Sequence, residues 1–124
     1  MKILLADDQM GLHMALRIWA DQVAGITVTS AVTDLCALRR ALPIEHPDVL
    51  LLDWELHGLD DNQTRRTLIS QLHDQAPTLR IIALSSRPDG RATALATGVD
   101  AFISKTESPT ELTTLLLRLR GSEV

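Results

Sequence analysis

Five short apolar runs recur along the chain and alternate with longer segments of helical period. The runs are Ile3–Ala6, Ile26–Val32, Val49–Leu52, Ile81–Leu84 and Ala101–Ile103. Four of them are apolar almost throughout, which is typical of parallel strands that are covered on both faces. The second run starts Ile26-Thr27-Val28-Thr29, and its alternating apolar and polar residues predict a strand at a half-covered edge.

Between and after these runs, apolar residues repeat at three- and four-residue spacing, as on one face of a helix. The stripes are Leu12, Ala15, Leu16, Trp19 and Val23; Leu35, Leu38, Ala41 and Leu42, before Pro43; Leu68, Ile69 and Leu72, before Pro77; and Leu112, Leu115, Leu116 and Leu119, after a Ser108-Pro109 start signal. A weaker helix, roughly Pro88–Thr97, has mostly alanine as its apolar residues, and Gly98 is expected to end it. On the last helix, Leu117 projects about 140° away from the stripe.

Five strands that alternate with five helices predict an α/β domain with a parallel sheet. Crossovers are right-handed and the second strand belongs at an edge. We therefore expect a doubly wound (βα)5 domain of the flavodoxin-like type, with strand order 2-1-3-4-5. Because 124 residues divided in two would leave each half near the lower limit for a core, the sequence predicts one domain over residues 1–124.

The composition argues against several classes of function. Trp19, Trp54 and Phe102 are the only aromatic residues, so little is available to stack on nucleobases, and a net charge of −4 offers no field that attracts DNA or anionic lipid. The single cysteine, Cys36, excludes an internal disulfide, suits a reducing cytoplasm and is predicted to lie in the core. No apolar run approaches the roughly 18 residues that span a bilayer. We expect a cytoplasmic protein that contacts neither membrane nor nucleic acid directly.

Polar side chains follow four of the five predicted strands. They are Asp7 and Asp8 after the first strand, Asp53 after the third, Ser85 and Ser86 at the end of the fourth, and Lys105 after the fifth. The carboxyl ends of parallel strands meet at one edge of the sheet, where ligands bind in folds of this kind. The predicted strand order therefore brings Asp7, Asp8 and Asp53 to opposite sides of one crevice, with Ser85 and Lys105 on its flank.

Carboxylates gathered in a crevice repel one another unless a cation joins them. Oxygen ligands without His or Cys suit Mg²⁺, and an Asp beside Mg²⁺ can attack phosphorus and form an aspartyl phosphate. A nearby ammonium would neutralise charge on the transferring group. The chain otherwise uses arginine, with Lys2 its only other lysine, so Lys105 indicates a need for a compact ammonium. Phosphoryl transfer to an Asp accounts for the whole set.

Each of these residues also has a plain structural interpretation. Asp8 would cap the first helix, Asp53 would cap a turn, and a single lysine is usually a solvated surface charge. The four histidines lack metal-ligand spacing, and we predict no metal or phosphohistidine role for them. What indicates a chemical role is therefore the coincidence of all these side chains at one edge of the sheet.

Four segments resemble the receiver domains of bacterial two-component response regulators, and together they span essentially the whole chain. They are Leu4-Leu5-Ala6-Asp7-Asp8, Pro47-Asp48-Val49-Leu50-Leu51-Leu52-Asp53-Trp54-Glu55-Leu56-His57-Gly58, Ile81-Ile82-Ala83-Leu84-Ser85-Ser86 and Gly98-Val99-Asp100-Ala101-Phe102-Ile103-Ser104-Lys105. The family often has Thr at the position of Ser85, Tyr at Phe102, and Pro at Thr106 and His57. The chain is similar to receivers that precede a helix-turn-helix domain, and no such domain follows within its 124 residues.

The resemblance implies that Asp53 accepts a phosphoryl group from a sensor histidine kinase or phosphotransfer protein, with Mg²⁺ as cofactor. Asp8, Asp53 and the backbone carbonyl of Glu55 would hold the metal, and Asp7 would act mainly through water.

The resemblance also implies which residues take part in a conformational switch. Ser85 would be the switch hydroxyl, Lys105 the lysine that contacts the phosphoryl group, and Phe102 the switch aromatic, which we expect to swing from an exposed to a buried position. The face of the fourth helix, fifth strand and last helix would then bind a downstream protein or a second copy of the chain.

Three alternatives compete with this signalling function. A small phosphohydrolase of the haloacid-dehalogenase type would also use Asp53 as nucleophile, but it needs an Asp where Glu55 stands and a substrate cap. A pseudo-receiver would signal without phosphorylation, although the acid set is intact. A flavodoxin-like FMN carrier would need stacking rings and a phosphate loop. We expect no enzyme activity beyond the domain's own phosphoryl transfer and dephosphorylation.

Overall fold

The computed structural model describes residues 1–106 and 109–121. The strands are β1 (Lys2–Ala6), β2 (Thr27–Val32), β3 (Val49–Asp53), β4 (Arg80–Ser85) and β5 (Ala101–Ser104). The helices are α1 (Met10–Asp21), α2 (Leu35–Glu45), α3 (Asn62–Gln75), α4 (Arg91–Ala96) and α5 (Pro109–Gly121), and a single 3₁₀ turn at Pro88–Gly90 precedes α4. Within the described ranges, no helix combines the length and the apolar character needed to cross a membrane.

The five strands form one parallel sheet in the order β2-β1-β3-β4-β5, which confirms the predicted fold class. β2 lies at an edge, as its alternating pattern predicted. β1 and β3 are neighbours in the interior of the sheet, with Ala6 paired to Leu52. The residues that follow these two strands therefore start from adjacent points on the same edge.

Helices cover both faces of the sheet, which explains why the interior strands are apolar between their end residues. One face, with Leu4, Leu50 and Ile81, packs against α2, α3 and α4. The other, with Leu5 and Leu51, packs against α1 and α5. These side chains have essentially no exposed surface, and burying each stabilises the fold by about 1.5–3 kcal/mol.

α2 extends beyond its apolar stripe, through Pro43 to Glu45. Arg39 and Pro43 lie on the exposed side of the helix, where water can satisfy the Arg39 carbonyl, which lacks an N–H partner. One prediction about this helix is wrong. Cys36 is exposed rather than in the core. It lies between Leu35 and Leu38 along the chain, and a helix rotates about 100° per residue, which turns position 36 outward.

The last two helices, α4 and α5, agree only in part with what the sequence predicted. Gly98 has φ +104° just after α4, a conformation that favours glycine and ends the helix as predicted. α4 has only six residues, and Ala94 is its one buried side chain. On α5, Leu116 is fully buried and Leu117 is 40% exposed, as the stripe predicted. The predicted start signal of α5 includes Ser108, which lies outside the described residues.

Candidate functional site

Three carboxylates converge where β1 and β3 end. Asp7 follows the last residue of β1, and Asp53 is the last residue of β3. One carboxylate oxygen from each of Asp7, Asp8 and Asp53 lies within 4.8 Å of the others. Asp7 and Asp53 are buried, whereas Asp8 is exposed and opens the cluster to solvent. The fold thus brings the three predicted acids together at one edge of the sheet.

Lys105 lies inside this acidic cluster rather than on the surface. Its Nζ is 2.7 Å from Asp7 Oδ2 and 3.2 Å from Asp53 Oδ1. The position is fixed by the backbone, because the Lys105 N–H donates to the Ser85 carbonyl just beyond the paired strands. Burial would lower the pKa of Lys105, but its contacts with Asp7 and Asp53 outweigh burial and raise it. The lysine is therefore a cation at neutral pH.

Asp53 carries a charge that its surroundings only partly compensate. Burial raises its pKa, and the neighbouring Asp7 adds to the increase. The Glu55 N–H, 3.0 Å from Asp53 Oδ1, and the Lys105 ammonium both act in the opposite direction, yet the pKa remains above its ordinary value. One ammonium for three carboxylates leaves the site short of positive charge.

The donor set fits a hard divalent cation. Apart from its ion pair with Lys105, the buried Asp7 Oδ2 has no hydrogen-bond partner among the described residues. Asp8 adds an oxygen on the exposed side, where a metal could keep several water ligands, as Mg²⁺ prefers. The alternative that Asp8 caps α1 is wrong, since the cap residue is Gln9, without a side-chain bond.

The loop between β1 and α1 is held by contacts that the sequence did not predict. The Asp7 N–H donates to the Val32 carbonyl at 3.0 Å, and the Gln9 N–H donates to Asp7 Oδ1 at 2.8 Å. On the inner side, Nε2 of the buried His13 hydrogen-bonds to the Asp7 carbonyl. A hydrogen bond from a histidine ring to a backbone carbonyl needs no particular residue spacing, so the sequence carries no signal for it.

Ser85 ends β4 beside the cluster and is buried. Its hydroxyl donates to Glu55 Oε2 at 2.7 Å, and Glu55 Oε1 accepts from the Ser86 N–H at 2.8 Å and the Ser86 hydroxyl at 3.0 Å. Burial would raise the pKa of Glu55, but these hydrogen bonds, together with Lys105, hold it below its ordinary value. The sequence predicted a role only for the backbone carbonyl of Glu55, and the role of its side chain was missed.

The expectation that Phe102 starts exposed is wrong, because the ring is only 2% exposed. It packs in the same cluster as Ala83 and Ala94, whose small side chains leave room for it. The Arg91 guanidinium lies 5.1 Å from the ring centroid, and its Nη1 donates to the Phe102 carbonyl at 3.1 Å. Phe102 is therefore buried while Ser85 is still bound to Glu55.

Comparison with known proteins places the chain in a family. The family model for the response regulator receiver domain matches residues 3–117. Among curated proteins, the chain is similar to protein-glutamate methylesterase/protein-glutamine glutaminase 1 of Cereibacter sphaeroides, with 29% identity over 115 residues. That match covers 90% of this chain but only 30% of the methylesterase, so the chain spans under a third of that relative's length.

Solved structures agree in fold. The isolated receiver domain of RcsB from Salmonella enterica serovar Typhimurium, in the presence of the phosphomimetic BeF3⁻, has a TM-score of 0.83 at 27% identity. That match covers 98% of this chain and 88% of the RcsB chain. The receiver domain of NarL from Mycobacterium tuberculosis shares the fold, with a TM-score of 0.76 at 22% identity over 97% of this chain and 95% of the NarL chain. The predicted resemblance is thus confirmed over most of the sequence, and the chain belongs to the response regulator receiver domains, the phosphorylation-dependent signalling modules of two-component systems.

Proposed function

We propose that Asp53 is the phosphoacceptor of this receiver and takes its phosphoryl group from the phosphohistidine of a sensor histidine kinase or phosphotransfer protein. The observation that carries this proposal is the contact of one ammonium with two carboxylates: Lys105 lies 2.7 Å from Asp7 and 3.2 Å from Asp53. Asp53 is the one of the three acids that belongs to a strand in the middle of the sheet. It is therefore held rigidly where a donor can approach.

The reaction uses the ionised carboxylate of Asp53. The Glu55 N–H and the Lys105 ammonium both contact Oδ1, so we assign Oδ2 as the attacking oxygen. A new O–P bond forms as the donor's N–P bond breaks, and the departing imidazole nitrogen recovers its electron pair. Lys105 and the Ser85 hydroxyl would then hold oxygens of the transferred group.

Receiver domains bind Mg²⁺ at an acidic pocket, and the Asp cluster supports the same for this chain. The carboxylates of Asp7, Asp8 and Asp53 and the backbone carbonyl of Glu55 would hold the ion, with Asp7 acting mainly through water. When bound, Mg²⁺ supplies positive charge that offsets the carboxylates and the incoming phosphoryl oxygens. Without it, Lys105 is the one cation that the described residues place in contact with the cluster.

The proposed output is a change on the face formed by α4, β5 and α5. Two large apolar side chains are exposed on its helices, Leu95 on α4 (44%) and Leu117 on α5 (40%). Burying them against a downstream protein or a second copy of the chain would be favourable. Since Phe102 is already buried, the change would begin at Ser85 and the segment after it rather than at the ring.

We place this function in the cytoplasm, in a single domain over residues 1–124, without direct contact with nucleic acid or membrane and without an enzymatic activity on other molecules. A phosphohydrolase would need a free acid/base two residues after its nucleophile. At that position the Glu55 carboxylate accepts three hydrogen bonds from Ser85 and Ser86. This supports a domain that catalyses only its own phosphorylation and dephosphorylation.

Intact-mass measurement after treatment with acetyl phosphate and Mg²⁺ tests the assignment. We expect one added phosphoryl group, none in Asp53→Asn, and normal labelling in Asp60→Asn, which removes an exposed carboxylate from the same loop. Labelling should also disappear with EDTA. Equal labelling of Asp53→Asn and the wild type would show that another residue is the acceptor.

A further inference from the structure

A single carboxylate holds both serines at the carboxyl end of β4. Glu55 Oε2 accepts the Ser85 hydroxyl at 2.7 Å, and Oε1 accepts both the N–H and the hydroxyl of Ser86 at 2.8 and 3.0 Å. Glu55 is itself fixed to the acid cluster, because its N–H donates to Asp53 Oδ1 at 3.0 Å. The start of the segment between β4 and α4 is therefore tied to the turn that carries Asp53.

This arrangement already uses the one proton that the Ser85 hydroxyl can donate. A serine hydroxyl has one proton to donate, and here it points to Glu55 Oε2 at 2.7 Å, with the Arg87 carbonyl farther away at 3.4 Å. The same oxygen accepts the Arg87 N–H at 3.0 Å. A phosphoryl oxygen on Asp53 can gain a hydrogen bond from Ser85 only if Glu55 gives it up.

Electrostatics oppose the resting bonds once Asp53 is phosphorylated. The Glu55 side chain accepts all three of its hydrogen bonds with Ser85 and Ser86, as an ionised carboxylate does, so a carboxylate charge lies two residues from the acceptor. A phosphoryl group carries about 1.5 to 2 negative charges at neutral pH and replaces the single charge of the Asp53 carboxylate. The modification that needs the Ser85 hydroxyl thus also repels the carboxylate that holds it.

We propose that Glu55 is a positioning residue that holds Ser85 and Ser86 in the resting arrangement, and that a phosphoryl group on Asp53 competes with it for the Ser85 hydroxyl. The inference rests on the proposed function, since it takes Asp53 as the acceptor. It adds that the side chain of Glu55, and not only its backbone, sets how readily the domain switches.

Two substitutions distinguish the charge of Glu55 from its hydrogen bonds. Glu55→Gln keeps the shape of the side chain and exchanges charge-assisted hydrogen bonds for neutral ones of about half the strength. Glu55→Ala removes the bonds altogether. With beryllofluoride and Mg²⁺ as the probe, we expect Glu55→Ala to bind beryllofluoride about tenfold more tightly than the wild type, equivalent to about 1.4 kcal/mol. Glu55→Gln should show a smaller gain.

Binding is measured by Trp54 fluorescence in a Trp19→Phe background, which leaves one emitter. Asp60→Asn is the matched control, because it removes a negative charge from the same loop at an exposed position. Removing charge near an anion could by itself tighten binding, so Glu55→Gln is also made in Ser85→Ala. If Glu55 acts through the serine, most of the gain disappears in that background. An equal gain with and without Ser85 would overturn the proposal, as would unchanged or weaker binding in Glu55→Ala.

Amide hydrogen exchange without any ligand provides a readout that does not depend on phosphorylation. Both Glu55 variants should exchange faster than the wild type and Asp60→Asn over residues 86–97, with strand β3 unchanged. Unaltered exchange in this segment would overturn the proposal. Failure of the wild type to bind beryllofluoride would instead overturn the proposed function, and the exchange measurement would still decide the role of Glu55.

Discussion

Lys105 serves as an internal counter-ion whose charge does not balance the site. It contacts Asp7 Oδ2 and Asp53 Oδ1, while Asp8 stays exposed. The raised pKa of Asp53 follows first from burial and then from the charge of Asp7. The folded protein therefore keeps a carboxylate that would be more stable as an ion in the unfolded chain. Such a group lowers the stability of the fold at neutral pH, and carboxylates perturbed in this way are typical of functional sites.

Because the pKa of Asp53 is raised in the folded protein, the effect of Asp53→Asn on stability should depend on pH. Between the ordinary pKa of 3.8 and the higher folded value, the unfolded chain releases the Asp53 proton first, so wild-type stability falls as the pH rises through that window. At pH 7 in EDTA we expect Asp53→Asn to melt a few degrees higher, the effect of about 1 kcal/mol in a domain of this size.

Melting curves of the two proteins between pH 7 and pH 4 check this expectation. The difference should narrow as the pH approaches 3.8, where Asp53 becomes protonated in both states of the wild type. A variant that is less stable at pH 7 would contradict it. That result would mean that losing the contact with Lys105 outweighs removing the charge.

The elements could be predicted where one local pattern decides them. β3 is buried on both faces and has no polar residue before its last residue, Asp53. The order of the strands follows from the handedness of crossovers and from the exposure of the edge strand. The outward turn of Cys36 and the continuation of α2 through Pro43 depend on which side of the helix faces water. A list of apolar residues does not fix that side.

At the site too, some features could be predicted from the sequence and others could not. Asp7, Asp8, Asp53 and Lys105 could be assigned to one edge because each lies at the end of a strand or within two residues after it. The bonds of Glu55 to Ser85 and Ser86 could not, since they join residues 30 and 31 positions apart through a side-chain rotamer. The contact of Phe102 with Arg91 likewise joins β5 to α4 and leaves no periodic signal in the sequence.

α4 is the helix with the least support from the core. It has six residues and one buried side chain, and Arg91 links its first turn to Phe102 through the ring and the carbonyl. We expect Phe102→Ala to lower the free energy of unfolding by about 3–5 kcal/mol, the usual cost of removing a buried ring. Arg91→Ala should cost about 1 kcal/mol and increase hydrogen exchange in α4.

Urea denaturation with hydrogen exchange distinguishes the two variants. Arg87→Ala is a suitable control, because this exposed arginine lies just before the 3₁₀ turn and its side chain has no described contact with the ring. Exchange in α4 that is equal in Arg91→Ala, Arg87→Ala and the wild type would show that Arg91 does not hold the helix.

At the scale of the whole molecule, backbone hydrogen bonds join the strand ends around the site. The Trp54 N–H donates to the Leu84 carbonyl, and the Lys105 N–H donates to the Ser85 carbonyl, both at 2.6 Å. β3, β4 and β5 are thus connected beyond their paired residues. A ligand bound at the ends of these strands stabilises the sheet as a unit, because unfolding must release it.

Binding of Mg²⁺ should therefore raise the stability of the whole domain. At a concentration one hundred times its dissociation constant, an ion that binds only the folded state adds about 2.7 kcal/mol to the free energy of unfolding. We expect Mg²⁺ to raise the melting temperature by several degrees in the wild type and in Asp60→Asn, and to have little effect in Asp8→Asn or Asp53→Asn.

The net charge of −4 means that any salt could stabilise the chain by screening, so NaCl at equal ionic strength is the necessary comparison. If NaCl gave the same gain, or if Asp8→Asn responded like the wild type, the cation would be acting on the general charge of the molecule and not at the three carboxylates.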